Sequence, residues 1–271
     1  MLSGVLAKAV IETRTVIGLT CAALAVVMGL FVQILPQFAE GLNEIILQVP
    51  FIRTLISGLM GIDVSTGLAP EMLLVVVWSH PVVLTIVWGF ALVLSTRLPP
   101  VEIERGTIDV LLGWPVSRWA LYLSEGLVCV GGGLLVLGSG FLGFRISEAT
   151  LPAELRPAAS SLLFNLINLF ATYVAVTGIA QCVSAACDRR GKAMGLAVAI
   201  LLASYLVQFL STLWEPAKRV AFASFAHYYQ PARVMTSGEF PARDVAVLLA
   251  SGGLLWGLGG VVWSRRSVLT V

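Results

Sequence analysis

A chain of 271 residues with 58% hydrophobic and only 12% charged side chains falls well outside the composition of a water-soluble domain, where about a quarter of residues carry charge. Its formal net charge of +2, with no basic run interleaved with aromatics, gives no basis for a nucleic-acid partner. Mean hydropathy of +0.94 points instead to lipid as the solvent.

Six windows contain no Asp, Glu, Lys or Arg: 15–39, 72–96, 126–144, 157–187, 193–214 and 245–264. A bilayer core is about 30 Å thick and a helix rises about 1.5 Å per residue, so about 20 apolar residues cross it. A charge at the centre of such a helix costs about 2.5–3.5 kcal/mol on insertion scales. The windows therefore predict an all-α polytopic membrane protein with six spans, near 16–35, 73–95, 121–143, 160–182, 193–212 and 245–263. No segment between spans is long enough to bury a core of its own, so residues 1–271 read as one membrane domain.

In chain order, residues 1–12 come first. Leu2, Val5, Leu6, Ala9 and Val10 follow helical spacing, with Ser3, Lys8 and Glu12 away from them, which predicts an interfacial amphipathic helix. Lys8 and Arg14 precede an apolar run longer than a signal h-region, and no small-x-small site closes it, so a retained first span is expected. The following loop carries Leu42, Ile45, Ile46, Val49, Leu55 and Ile56, punctuated by Pro50 and Gly61, and is expected to rest on the membrane surface or a partner. Span two holds His80 between Trp78 and Pro81. An ionisable residue at that depth is a candidate for a substrate path, and Pro81 frees a backbone carbonyl nearby that some other group must satisfy.

The loop after span two reads Arg97-Leu-Pro-Pro-Val-Glu-Ile-Glu-Arg-Gly-Thr-Ile-Asp-Val-Leu-Leu-Gly-Trp-Pro-Val-Ser-Arg118. Pro99 and Pro100 end the span. Thr107 with Asp109 in the first turn, then Ile108, Val110, Leu111 and Leu112, predicts a short amphipathic helix stopped by Gly113 and Pro115. Spans three and six are glycine-rich, with Gly253 and Gly257 forming a GxxxG pair expected to support close helix packing. Asn165 and Asn168 share a face of span four and are expected to bond across helices. Glu125 is expected to pair with an arginine. Phe222, Phe225, Tyr228 and Tyr229 in the last loop suit headgroup level. Cys21, Cys129, Cys182 and Cys187 have no metal-ligand spacing and read as small packing residues.

Glu104-Arg105-Gly106-Thr107, then Leu111-Leu112, then Pro115-Val116-Ser117-Arg118 resembles the cytoplasmic loop of type-2, exporter-class ABC-transporter permeases. The layout of six spans preceded by an amphipathic segment is similar over nearly the whole chain, as is the short basic turn Asp188-Arg-Arg-Gly-Lys192. The resemblance implies a coupling helix that docks on a separate cytoplasmic ATPase, with two permease copies and two ATPases forming the working unit. Glu102, Glu104, Arg105, Gly106, Thr107, Ile108, Asp109, Leu111 and Leu112 would form the coupling region. Tyr205 and Gln208 in span five would join His80, Trp78 and Asn165 as candidates for the substrate path. The family often has Glu where Asp109 stands.

The chain has no G-x-x-x-x-G-K-[ST]: Ala186 and Ala193 stand where Gly191-Lys192 would need a glycine and a hydroxyl. The expectation is a non-enzymatic permease that binds no cofactor itself, with ATP and Mg on the partner subunit. Placing both termini in the cytoplasm puts ten of the seventeen basic residues inside and seven outside, as the positive-inside rule prefers for a cell-membrane protein. Two other classes stay open. An ion-coupled secondary transporter would use His80, its one central titratable group. An intramembrane serine protease would use Ser139 with His80, but Leu137 occupies the place where that motif wants glycine.

Overall fold

The computed structural model describes residues 2–38 and 70–267 and, between those stretches, 41, 44, 48–51, 53 and 57. The expectations for Leu42, Ile45, Ile46, Leu55, Ile56 and Gly61 lie outside the described residues. All regular structure among the described residues is helical. Its helices are α1 Leu2–Ile34, α2 Pro70–Ser79, α3 Pro81–Ser95, α4 Pro100–Glu104, α5 Ile108–Leu112, α6 Arg118–Glu148, α7 Ala159–Ala185, α8 Arg190–Leu213, α9 Glu215–Lys218, α10 Pro231–Ser237 and α11 Ala242–Arg265. Short 3-10 turns complete the chain, among them Ala221–Ala223 and Phe225–Tyr228.

Six stretches are long and apolar enough to cross a bilayer: Gly4–Phe38, Leu74–Ser95, Arg118–Glu148, Ala153–Ala185, Arg190–Leu213 and Ala242–Arg265. Each matches one charge-free window. Most run a few residues beyond it, because charged groups are tolerated where a helix reaches the headgroups. Exposed Leu19, Val26 and Leu30 on α1, Leu202 and Leu206 on α8, and Leu254 and Leu258 on α11 mark the surface that lipid tails cover. The residue 2–12 segment is not a separate element. It is the first third of α1, because no proline interrupts residues 2–34 and Lys8–Glu12 pair at helical spacing, 3.5 Å apart.

Packing pairs α1 with α6 and α7 with α11, and glycine makes both contacts possible. A Cβ on Gly143 would stand 2.2 Å from the carbonyl oxygen of Ala25, and one on Gly178 2.2 Å from that of Gly252. Backbone meets backbone at both points, which is how small residues drive association in lipid. The Gly253–Gly257 pair takes no part: nothing lies within 4 Å of a Cβ at either position. Gly252, Gly259 and Gly260 face the bundle instead, against Ala175, Cys182 and Trp119. The GxxxG spacing alone does not say which face of α11 turns inward.

Candidate functional site

Two regions gather the candidate residues. The first is the loop 97–118, at the end of the bundle that carries both described chain ends. Its fold follows from local chemistry. After a cis Leu98–Pro99 peptide, Pro100 opens α4, since its missing N–H costs nothing in a first turn. Gly106 follows at φ +68°, a left-handed conformation that suits glycine, and reverses the chain into α5. The Thr107 hydroxyl donates back to the Glu102 carboxylate, and the Thr107 N–H donates to the Glu102 carbonyl at 3.0 Å. Ser117 caps α6 by accepting from the Ala120 N–H at 3.1 Å. Arg118 donates to the Arg266 carbonyl and lies 5.3 Å from the Trp263 ring centroid, fixing the start of α6 to the end of α11.

The loop is fastened to the spans around it. Glu102 pairs with Lys8 of α1 at 3.3 Å. Glu104 accepts the backbone N–H of Arg190 at 3.1 Å, so a loop carboxylate caps the start of α8. The Ser184 hydroxyl of α7 reaches the Leu98 carbonyl at 3.5 Å. Arg97, at the root of the loop, binds Glu12 at 2.6 Å and Glu125 at 3.5 Å, joining α1 and α6. Burial works against the Glu102 carboxylate, but the Thr107 hydroxyl and the Lys8 ammonium outweigh it and hold its ionisation below the usual glutamate range. Lys8, Glu12 and Arg97 carry no motif of their own, and the basic turn that holds Arg190 named no partner for it, so sequence reasoning missed their place in this network. Glu125 has the arginine partner expected of it.

Ile108 is fully buried against Tyr122, Ala185 and Trp263, with Ile103 and Trp256 packed around them. It anchors α5 to the chain's own body and offers no surface to a partner. Arg105, Gly106, Thr107, Asp109, Val110 and Trp114 are exposed, Val110 by 64% and Trp114 by 53%. Leu111 and Leu112 close α5 in the backbone; their side chains lie outside what the structure describes.

The second region lies within the bundle, where span two breaks. His80 is extended at φ −64° and ψ 130°, separating α2 from α3. Its Nδ1 accepts the Val82 N–H at 3.2 Å, and its ring sits 4.2 Å from that of Phe31. An unbroken helix would give that N–H to the Trp78 carbonyl. Here the buried Tyr229 hydroxyl donates to that carbonyl at 2.8 Å, in place of the Val82 N–H that His80 has taken; the carbonyl that Pro81 itself leaves without a helical donor is Val77's, which accepts the His80 N–H at 3.4 Å.

Tyr229 belongs to the last loop, which folds into the bundle. Phe225 and Tyr229 join the main core, and only Phe222 of the expected headgroup aromatics is largely exposed, by 67%. Apolar bulk and available partners explain the inward turn. The Ser204 and Ser224 hydroxyls lie 2.9 Å apart, His227 Nδ1 lies 3.1 Å from Gln208 Oε1, and Asn168 donates to the Tyr228 carbonyl at 3.1 Å. Trp88 stacks edge-on to Phe225 at 5.3 Å and to Tyr205 at 6.5 Å. Trp78, Gln208 and Asn168 thus bond one inserted segment, and Tyr205 reaches it through Trp88. His80 instead contacts Phe31, and Asn165, fully buried, has no partner for its amide among the described residues. The Ser139 hydroxyl donates to the Cys21 and Val136 carbonyls. No group of three metal-ligating side chains occurs among the described residues.

Comparison with family models, with curated proteins and with solved structures gave no match to this chain.

Proposed function

We propose that the chain is the membrane permease subunit of an ABC transporter, paired with a second permease copy in the cell membrane and driven by a cytoplasmic ATPase that holds ATP and Mg. The observation that carries this reading is the way loop 97–118 is built. One side exposes Arg105, Gly106, Thr107, Asp109, Val110 and Trp114. The other side is fixed to α1 through Glu102 and to α8 through Glu104. A push on the exposed side is delivered to both spans. Export is the direction the resemblance favours, and both termini are assigned to the cytoplasm.

The test is purification from native membranes. Wild type is expected to carry vanadate-sensitive ATP hydrolysis on a second polypeptide. Arg105→Glu and Gly106→Trp are expected to lose that activity while remaining inserted. Full hydrolysis in both variants overturns the reading.

The break at His80 favours a second reading, an ion-coupled secondary transporter, because interrupted spans carry ion sites in that class. Vesicle efflux that runs on a proton gradient and needs no ATP would select it.

A further inference from the structure

A cleft of about 330 Å³ opens between the end of α10 and the start of α11, at the end of the bundle opposite loop 97–118. Arg233, Arg243, Glu239, Asp244, Ser237 and Phe240 are among its lining residues. Its two cations and two carboxylates make no ion pair among the described residues, whereas Arg145–Glu148 and Lys218–Glu215 at the same end are both paired. Gly238, at φ +65°, ends α10, and Pro241 leaves α11 without a side-chain cap. The turn therefore holds Arg233 of α10 and Arg243 of α11 on one opening.

Ala242 begins a membrane-crossing helix, so the cleft lies at the lipid–water boundary. Phe240, 43% exposed and packed edge-on against Phe164 at 5.3 Å, suits that depth. Leu254 and Leu258 are exposed further along α11 on the same face as Arg243, which suits acyl chains extending from the cleft.

We propose that this cleft binds the headgroup of a phospholipid that carries both a phosphate and a primary ammonium, as in phosphatidylethanolamine. The guanidinium forks match phosphate oxygens. Glu239 and Asp244 supply acceptors for an ammonium, which a phosphoglycerol headgroup lacks and a choline cannot satisfy with N–H donors. A cleft meant for phosphate alone would gain nothing from two carboxylates.

The test is lipid retention by the purified full chain, read by native mass spectrometry and by thermal stability, with phosphatidylethanolamine, phosphatidylcholine or phosphatidylglycerol added separately. Phosphatidylethanolamine is expected to be retained about tenfold better than the other two, about the worth of one charged hydrogen bond. Arg233→Ala/Arg243→Ala should lose that retention. Glu239→Gln/Asp244→Asn should keep lipid but lose the preference, which separates recognition from misfolding. Water-soluble glycerophosphoethanolamine should bind weakly, since it has no chains to lie along α11. Equal retention of the three lipids, unchanged retention in the arginine variant, or equally tight binding of the soluble headgroup overturns the proposal. The readout needs no transport activity and stands apart from the permease reading.

Discussion

Tyr229→Phe removes one hydroxyl and leaves the ring. That hydroxyl donates to the Trp78 carbonyl at 2.8 Å, inside the core. The carbonyl has no helical partner because the Val82 N–H is turned to His80 Nδ1. Its loss leaves a buried acceptor unpaired in an apolar surrounding, at a cost of about 1–3 kcal/mol. For a chain of this size that corresponds to roughly 2–12 °C in melting temperature. The assay is unfolding in detergent, by thermal scan and by denaturing-detergent titration. A second background sharpens it. His80→Ala/Pro81→Ala removes the competing acceptor and restores an N–H at position 81, so α2 and α3 can close into one helix and Val82 can take the Trp78 carbonyl. In that background Tyr229→Phe is expected to cost less than about 0.5 kcal/mol, a non-additivity expected of coupled sites. An equal loss in both backgrounds, or none in the wild type, refutes the account of the break.

Gly178→Val drives a side chain into the Gly252 backbone and is expected to destabilise by about 1–3 kcal/mol or more, whereas Gly257→Val meets open space and should stay within about 0.5 kcal/mol; denaturant titration of both variants compares them. Glu104→Ala uncaps α8 and should raise amide exchange at Arg190, with a loss of about 0.5–2 kcal/mol. Glu102 ionises below the usual glutamate range, so its pairing with Lys8 is fully present above that range and is lost as pH falls through the lower, folded-state value. Protease sensitivity of loop 97–118 in Glu102→Gln should exceed that of wild type at neutral pH and converge with it only in acid. The partly exposed pair sets the effect at about 0.2–1 kcal/mol.

The six spans were legible because lipid punishes charge, and the charge-free windows record that directly. The sequence separated an interfacial helix at residues 1–12 from a first span beginning near residue 16, yet one helix runs unbroken from Leu2 to Ile34, with Lys8 and Glu12 paired to each other and to Glu102 and Arg97. The short helix at 108–112 was readable from Asp109 and Gly113, but the direction of Ile108 was not, because its pocket is made by Tyr122, Ala185 and Trp263 from three distant spans. Phe225 and Tyr229 looked like headgroup aromatics for a similar reason. Their inward turn depends on Ser204, Gln208, Asn168 and the Trp78 carbonyl, partners that no local pattern names.

Loop 97–118 is proposed to meet a nucleotide-hydrolysing partner in the cytosol. A photo-crosslinker placed at Val110, 64% exposed beside Asp109, tests it in living cells. The predicted product is an adduct with a cytosolic protein that carries a phosphate-binding G-x-x-x-x-G-K-[ST] loop, lost when Gly106→Trp is combined with the crosslinker and kept with Gly106→Asn, whose side chain tolerates a positive φ. Labelling of position 110 by a membrane-impermeant reagent from outside the cell, or adducts with lipid alone, would contradict it.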